Sequence, residues 1–269
     1  MGTSKASKGP VGNSKPIQDW NNDYIIDSND SKNNDNNSTD EEANGELENV
    51  VEKTKWSDAK RSYAVFTKNP NKSNFKKFTS NYRNASGGSK KLSKSSIGGR
   101  KGAIILLDFL TTISKEGFNG ALEKFKIGDI SNLQTEGAIN KIAELFTEID
   151  GTDEGSAASS AVIETINKLY NDYSENPELI QNLNIEQISD YLEFYISTYI
   201  FERISVEVTK ALESGKLTIA QVNDADSILK SFIEAEVNLN FSTTNFSTIS
   251  IDKKNSIVNQ IFNEAYSLI

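Results

Sequence analysis

Ile185-Glu186-Gln187-Ile188-Ser189-Asp190-Tyr191-Leu192-Glu193-Phe194-Tyr195-Ile196-Ser197-Thr198-Tyr199-Ile200-Phe201-Glu202-Arg203-Ile204-Ser205-Val206-Glu207-Val208 is the stretch that decides the fold class. Ile188, Leu192, Tyr195, Ile196, Tyr199, Ile200, Ile204, Val208 and Leu212 recur at helical spacings, without the alternation of a strand. The pattern contains neither Gly nor Pro and meets Gly215 just past its end, so it predicts the longest helix of the chain, from about 185 to 213. Arg203 is the only arginine beyond Lys101, four residues before Glu207 and one after Glu202, a spacing that predicts a surface ion pair.

The same rhythm extends outward in both directions. Ile104 to Ile113 is apolar nearly all round and stops before Gly117, as expected of a central buried helix, with Leu122 and Phe125 on a shorter one. Ile139 to Ile149, closed by Gly151, and Ala158 to Tyr173, closed by Asn176-Pro177, predict two more. Ile228 to Val237 and Ile257 to Tyr266, the latter capped by Asp252, complete the C-terminal half, and the polar Phe241–Ser250 stretch suits a short strand or a loop. Upstream, Ser57 with Asp58 forms an N-cap signature behind Trp56, with Ala59, Tyr63 and Phe66 following until Asn69-Pro70. Phe75, Phe78 and Tyr82 share the face of a second short helix ended by Gly87-Gly88, and Ser89 to Lys101 has the composition of a mobile Ser/Lys/Gly loop. The expectation is an all-α, multi-helix globular body of seven to nine helices, preceded by a long disordered N-terminal arm.

Charge divides the chain into three blocks. Residues 1–52 carry 4 Lys/Arg and 11 Asp/Glu, with Asn21 to Asn44 dominated by Asn, Asp, Ser and Glu, the composition of a disordered linker. Residues 53–101 carry 14 Lys/Arg against Asp58 alone, and residues 102–269 carry 11 against 26 acidic residues. We therefore divide the chain into an arm (1–55), a basic helical segment and loop (56–101) and an acidic all-helical body (102–269). Lys72, Lys76, Lys77, Arg83, Lys90, Lys91, Arg100 and Lys101 are the candidates for contact with nucleic acid or a partner protein. Phosphate neutralisation with base stacking is one reading of cations interleaved with aromatics. The other ranks ahead of it: aromatics at helical spacing belong to the core, and a basic block beside an acidic body pairs with that body or with another protein.

With no Cys and no His in 269 residues, thiol nucleophiles, disulfides, cysteine-based zinc sites, Ser-His-Asp triads and histidine acid/base chemistry are excluded. Gly87-Gly88-Ser89-Lys90-Lys91 and Gly98-Gly99-Arg100-Lys101-Gly102 lack the spacing of a phosphate-binding P-loop. Asp153 with Glu154, and Asp224 with Asp226, are better explained as solvated helix ends than as metal ligands. No catalytic residue and no metal is expected. The longest apolar run, Ala103 to Leu107, falls short of a membrane span, and Met1 onward lacks a signal-peptide layout, so the expectation is a cytoplasmic protein.

The first dozen residues, Met1-Gly2-Thr3-Ser4-Lys5-Ala6-Ser7-Lys8-Gly9-Pro10-Val11-Gly12, have a more specific order than their composition requires. The N-myristoylation pattern fails at Ala6. Removal of Met1 before so small a residue exposes the amine of Gly2, which titrates at about 7.7–8.0 against about 10.4 for lysine and is the more nucleophilic near neutrality. Met1-Gly2-Thr3-Ser4, Lys8-Gly9-Pro10, Gly12, Pro16 and Trp20 resemble the N-terminus of the QatB family of the bacterial Qat anti-phage defence system. The match covers about twenty residues well, and it departs from the family where Pro16-Ile17-Gln18-Asp19-Trp20 replaces Pro-Pro-Trp. The resemblance implies a non-enzymatic component that works with a P-loop ATPase and stands beside a TatD-like nuclease. It also implies that a QueC-like modifying enzyme attaches a 7-deazaguanine covalently to Gly2, with Thr3, Ser4, Lys8, Gly9 and Pro10 as the residues it recognises.

Overall fold

The computed structural model describes residues 41–130, 135–146, 152–173, 183–212, 219–241 and 254–269, with side chains from residue 54 onward in the first span. The described residues form α1 (Glu41–Lys68), α2 (Lys72–Ala85), α3 (Ser89–Ser95), α4 (Ile97–Lys124), α5 (Thr135–Ala143), α6 (Asp153–Tyr173), α7 (Ile185–Leu212), α8 (Ile219–Phe241) and α9 (Lys254–Leu268). A single 3-10 turn, Glu144–Phe146, follows α5, and there is no strand among the described residues. The all-α expectation holds. The chain divides into two units at Thr39, and the described helices all belong to the second, Asp40–Ile269. The expected Asp252 cap, the closures at Gly151, Asn176-Pro177 and Gly215, and the stretch from Ser242 to Ser250 lie outside the described residues.

α7 is the axis of the body. It packs against α4, α6 and α8, and every residue from Tyr195 to Ile200 is buried, so its burial extends round the helix where one apolar face was expected. The central helix expected at Ile104–Ile113 is the first segment of α4. Gly117, at φ 75° and ψ 170°, breaks the helical geometry there, and Ala121 and Leu122 of the second segment return to the core.

Two expectations upstream are overturned. Ser57 and Asp58 do not start a helix: α1 begins at Glu41, so the boundary drawn at residue 55 falls inside it. No Gly or Pro interrupts residues 46–69, and the helix is held by Trp56 edge-on to Tyr82 at 6.0 Å and by buried Ala59, Tyr63 and Phe66. Tertiary anchoring on both sides of Ser57 thus overrides the local capping signature. The loop expected over Ser89–Lys101 is instead α3 and the first turn of α4, joined at Ser96. Leu92, Ser93 and Ser96 of this region are buried, with α3 packed on α9. Glycine composition suggested mobility here, but Gly99 and Gly102 have another use: a Cβ at either would overlap the ring of Tyr199 or the hydroxyl of Tyr195. They let α4 and α7 approach closely.

Candidate functional site

The basic segment places its Tyr and Phe side chains inward and most of its lysines outward. On α2, Asn71 caps the first turn by accepting from the Asn74 N–H at 3.0 Å, and Phe75, Phe78 and Tyr82 then fall on the buried face. Phe66 of α1 stacks on Phe78 at 6.3 Å, and Phe75 meets Phe232 of α8 at 5.0 Å. The aromatic reading as core is the correct one. Lys72, Lys76 and Lys77 are exposed, as are Lys90 and Lys91 on α3. Arg83 and Lys101 are half-buried, and Arg83 donates to the Ser267 carbonyl at 2.6 Å, tying the end of α2 to the end of α9. Arg100 is no surface contact. It is buried, donating to the carbonyls of Ser96 at 3.2 Å and Lys94 at 3.0 Å and to Asn259 Oδ1 at 2.7 Å. Gly2, Thr3, Ser4, Lys8, Gly9 and Pro10 lie outside the described residues.

Behind the basic face lies a polar network centred on Arg203. Its Nε pairs with Glu207 at 3.0 Å, as the spacing predicted, but the guanidinium is buried and not at the surface. It donates to Ser96 Oγ at 2.8 Å, the Leu92 carbonyl at 3.1 Å and Ser95 Oγ at 2.8 Å, and lies 3.3 Å from the Tyr266 hydroxyl. Burial works against the Arg203 charge, but the tyrosine oxygens of Tyr266, Tyr199 and Tyr82 and the Glu207 carboxylate outweigh it, so the group stays protonated. Glu207 also accepts from Tyr82 at 2.7 Å, joining α2 to α7. Burial, then the adjacent Glu207 charge, pushes the Tyr82 phenol well up, so it serves as a neutral donor.

Glu154 closes the other end of this network. Its two oxygens accept the backbone N–H groups of Gly98 and Gly99 at 2.9 and 2.8 Å, and one also accepts from Tyr199 at 2.6 Å. The carboxylate of α6 therefore caps the N-terminus of α4, where unpaired N–H groups and the helix dipole favour negative charge. Asp226 accepts from Tyr63 at 2.8 Å. No group of three or more Asp or Glu side chains suited to a metal is present among the described residues. Sequence reasoning missed this network. The available signal was the position of Arg203 on the buried stripe of α7, three residues after Ile200 and four after Tyr199.

Residues 87–269, about two thirds of the chain, match the family model described as Qat anti-phage system associated protein QatB. The chain belongs to the QatB family. No curated protein and no solved structure is significantly similar to it. The QatB match begins at the glycine turn between α2 and α3 and takes in α3 to α9, so Ser96, Glu154, Tyr199, Arg203, Glu207 and Tyr266 all lie within it. The family assignment thus rests on the body, while the resemblance at Met1 to Trp20 lies outside the matched residues. None of the described helices is long and apolar enough to cross a membrane.

Proposed function

We propose that this QatB-family chain is the non-catalytic component of an anti-phage defence system and that Gly2, exposed by removal of Met1, accepts a 7-deazaguanine group from a QueC-like partner. The observation that carries the reading is the family match over the body, to which the separate N-terminal resemblance adds the acceptor. Two features support a role without catalysis. The chain contains no Cys or His, and the half-buried carboxylates nearest its polar centre, Glu154 and Glu207, are already engaged by tyrosines, backbone N–H groups and Arg203. A partner ATPase docks on the helical body, and Thr3, Ser4, Lys8, Gly9 and Pro10 present the terminus to the modifying enzyme.

A plaque assay tests this directly. Cells carrying the chain with its neighbouring genes lose protection when Gly2 is replaced by Glu, with the protein still folded and present at normal abundance. Full protection by that variant overturns the acceptor role while leaving the family assignment in place.

A further inference from the structure

Between Asp58 and Asp108 the chain contains no carboxylate, and Asp58 itself pairs with Arg61 at 3.5 Å. Pairing with the acidic body was one of two expectations for this segment, the other being a partner protein; Glu207, Asp226 and Glu154 reach it to accept from Tyr82, Tyr63 and the N–H groups of Gly98 and Gly99. Lys72, Lys76, Lys77, Lys90 and Lys94 are exposed and make no ion pair with any described residue. Lys72 with Lys76 and Lys90 with Lys94 stand one helical turn apart on α2 and α3, with Ser73, Ser80 and Asn84 also on α2.

The surroundings of these lysines select among anionic partners. Stable protein docking centres on buried apolar and aromatic anchors, with lysine depleted. Every Tyr and Phe from residue 54 to 101 is buried, and Val65 and Ile97 are the exposed large hydrophobics of that span. Single-stranded nucleic acid needs exposed rings for base stacking, and reading of bases in a groove favours free arginine forks. The Tyr and Phe rings are inside, Trp56 is half-buried against Tyr82, Arg83 is held by Ser267 and Arg61 pairs with Asp58. What remains is lysine ammonium with Ser and Asn, the groups that contact a sugar-phosphate backbone without reading sequence.

We propose that the exposed lysines of α2 and α3 bind the phosphate backbone of duplex nucleic acid without sequence preference. The site is local. The whole chain carries a net charge of −9, so attraction comes from these lysines against the charge of the molecule as a whole. The proposal stands apart from the fate of Gly2.

Anisotropy of a fluorescent duplex of about 30 base pairs, titrated with the full-length protein across a salt series, tests it. Binding is expected at about 50 mM salt and should be largely lost by about 200 mM. The variant K72Q/K76Q/K77Q, with an unchanged helical circular dichroism spectrum, should bind at least about tenfold more weakly at the lowest salt, and its log-affinity against log-salt slope should be shallower by about 2 to 3. Lys115→Gln, on the acidic body, should change neither. Absence of binding at low salt overturns the proposal, as does an unchanged slope in the triple variant. Retention of polyglutamate but not the duplex, through the same lysines, overturns it in favour of an acidic protein partner.

Discussion

Gly99 of α4 lies against the ring of Tyr199 on α7 with no space for a Cβ between them. The Tyr199 hydroxyl continues to Glu154 at 2.6 Å, and Tyr195 donates to the Gly99 carbonyl at 3.0 Å. Glycine within a helix costs roughly 0.5–1 kcal/mol relative to alanine, a cost offset here by the close crossing of α4 and α7. Gly99→Ala should therefore destabilise the protein by about 1–3 kcal/mol in urea denaturation despite its better helix propensity. A more stable variant would mean that this crossing is not as described.

Arg203 is the cation at the centre of the buried network, and its donors reach α3, α7 and α9. Arg203→Met strips Glu207 of its charge partner and leaves the Leu92 carbonyl without this donor, so a loss of about 3–5 kcal/mol is expected. Arg203→Lys should recover only part of it, because one ammonium cannot span donors placed for a planar fork. Equal stability of the lysine variant and the original protein would contradict the geometry.

Stability should fall as pH rises from 5 to 8. Burial, and then the neighbouring Asp190, pushes the Glu193 carboxyl up to about 7 from its ordinary 4.5, so the folded chain holds a proton there that the unfolded chain has released. Stability from this group is complete below the unfolded value and disappears through the folded one. Burial raises Glu202 and Asp226 as well, in the same direction. Glu193→Gln should raise Tm at pH 8, change it little at pH 5 and flatten the profile between them. An unaltered profile would remove Glu193 as its source.

Replacing Leu192 or Ile196, both fully buried on α7, by Asp should unfold the body, since an unpaired carboxylate would face the core. Loss of cooperative melting checks this, and unchanged melting would contradict the placement of α7.

The fold class was legible because three-and-four spacing survives along most of the body, and the helix predicted over 185–213 is found at Ile185–Leu212. The failures share a cause. Ser57-Asp58 carries a real capping signature, but Trp56 on Tyr82 and Ala59 in the core hold the backbone helical through it. Gly99 and Gly102 have loop composition, and only the tyrosines of α7, nearly a hundred residues away, explain their place in a helix. Spacing paired Arg203 with Glu207 but could not bury it, because Leu92, Ser95 and Ser96 arrive from α3 and the junction after it. The same limit separates Lys72, Lys76, Lys77 and Lys90, exposed as their composition suggests, from Arg100, whose bond to Asn259 comes from α9.

Intact-mass measurement of the chain, purified from cells expressing its neighbouring genes, bears most directly on the proposed role of this QatB-family member. The expected species is heavier than the Met-free chain by one covalent 7-deazaguanine-type group, located at Gly2 by fragmentation and missing from Gly2→Glu. A mass equal to the Met-free chain alone, under conditions in which the same cells resist phage, would contradict it.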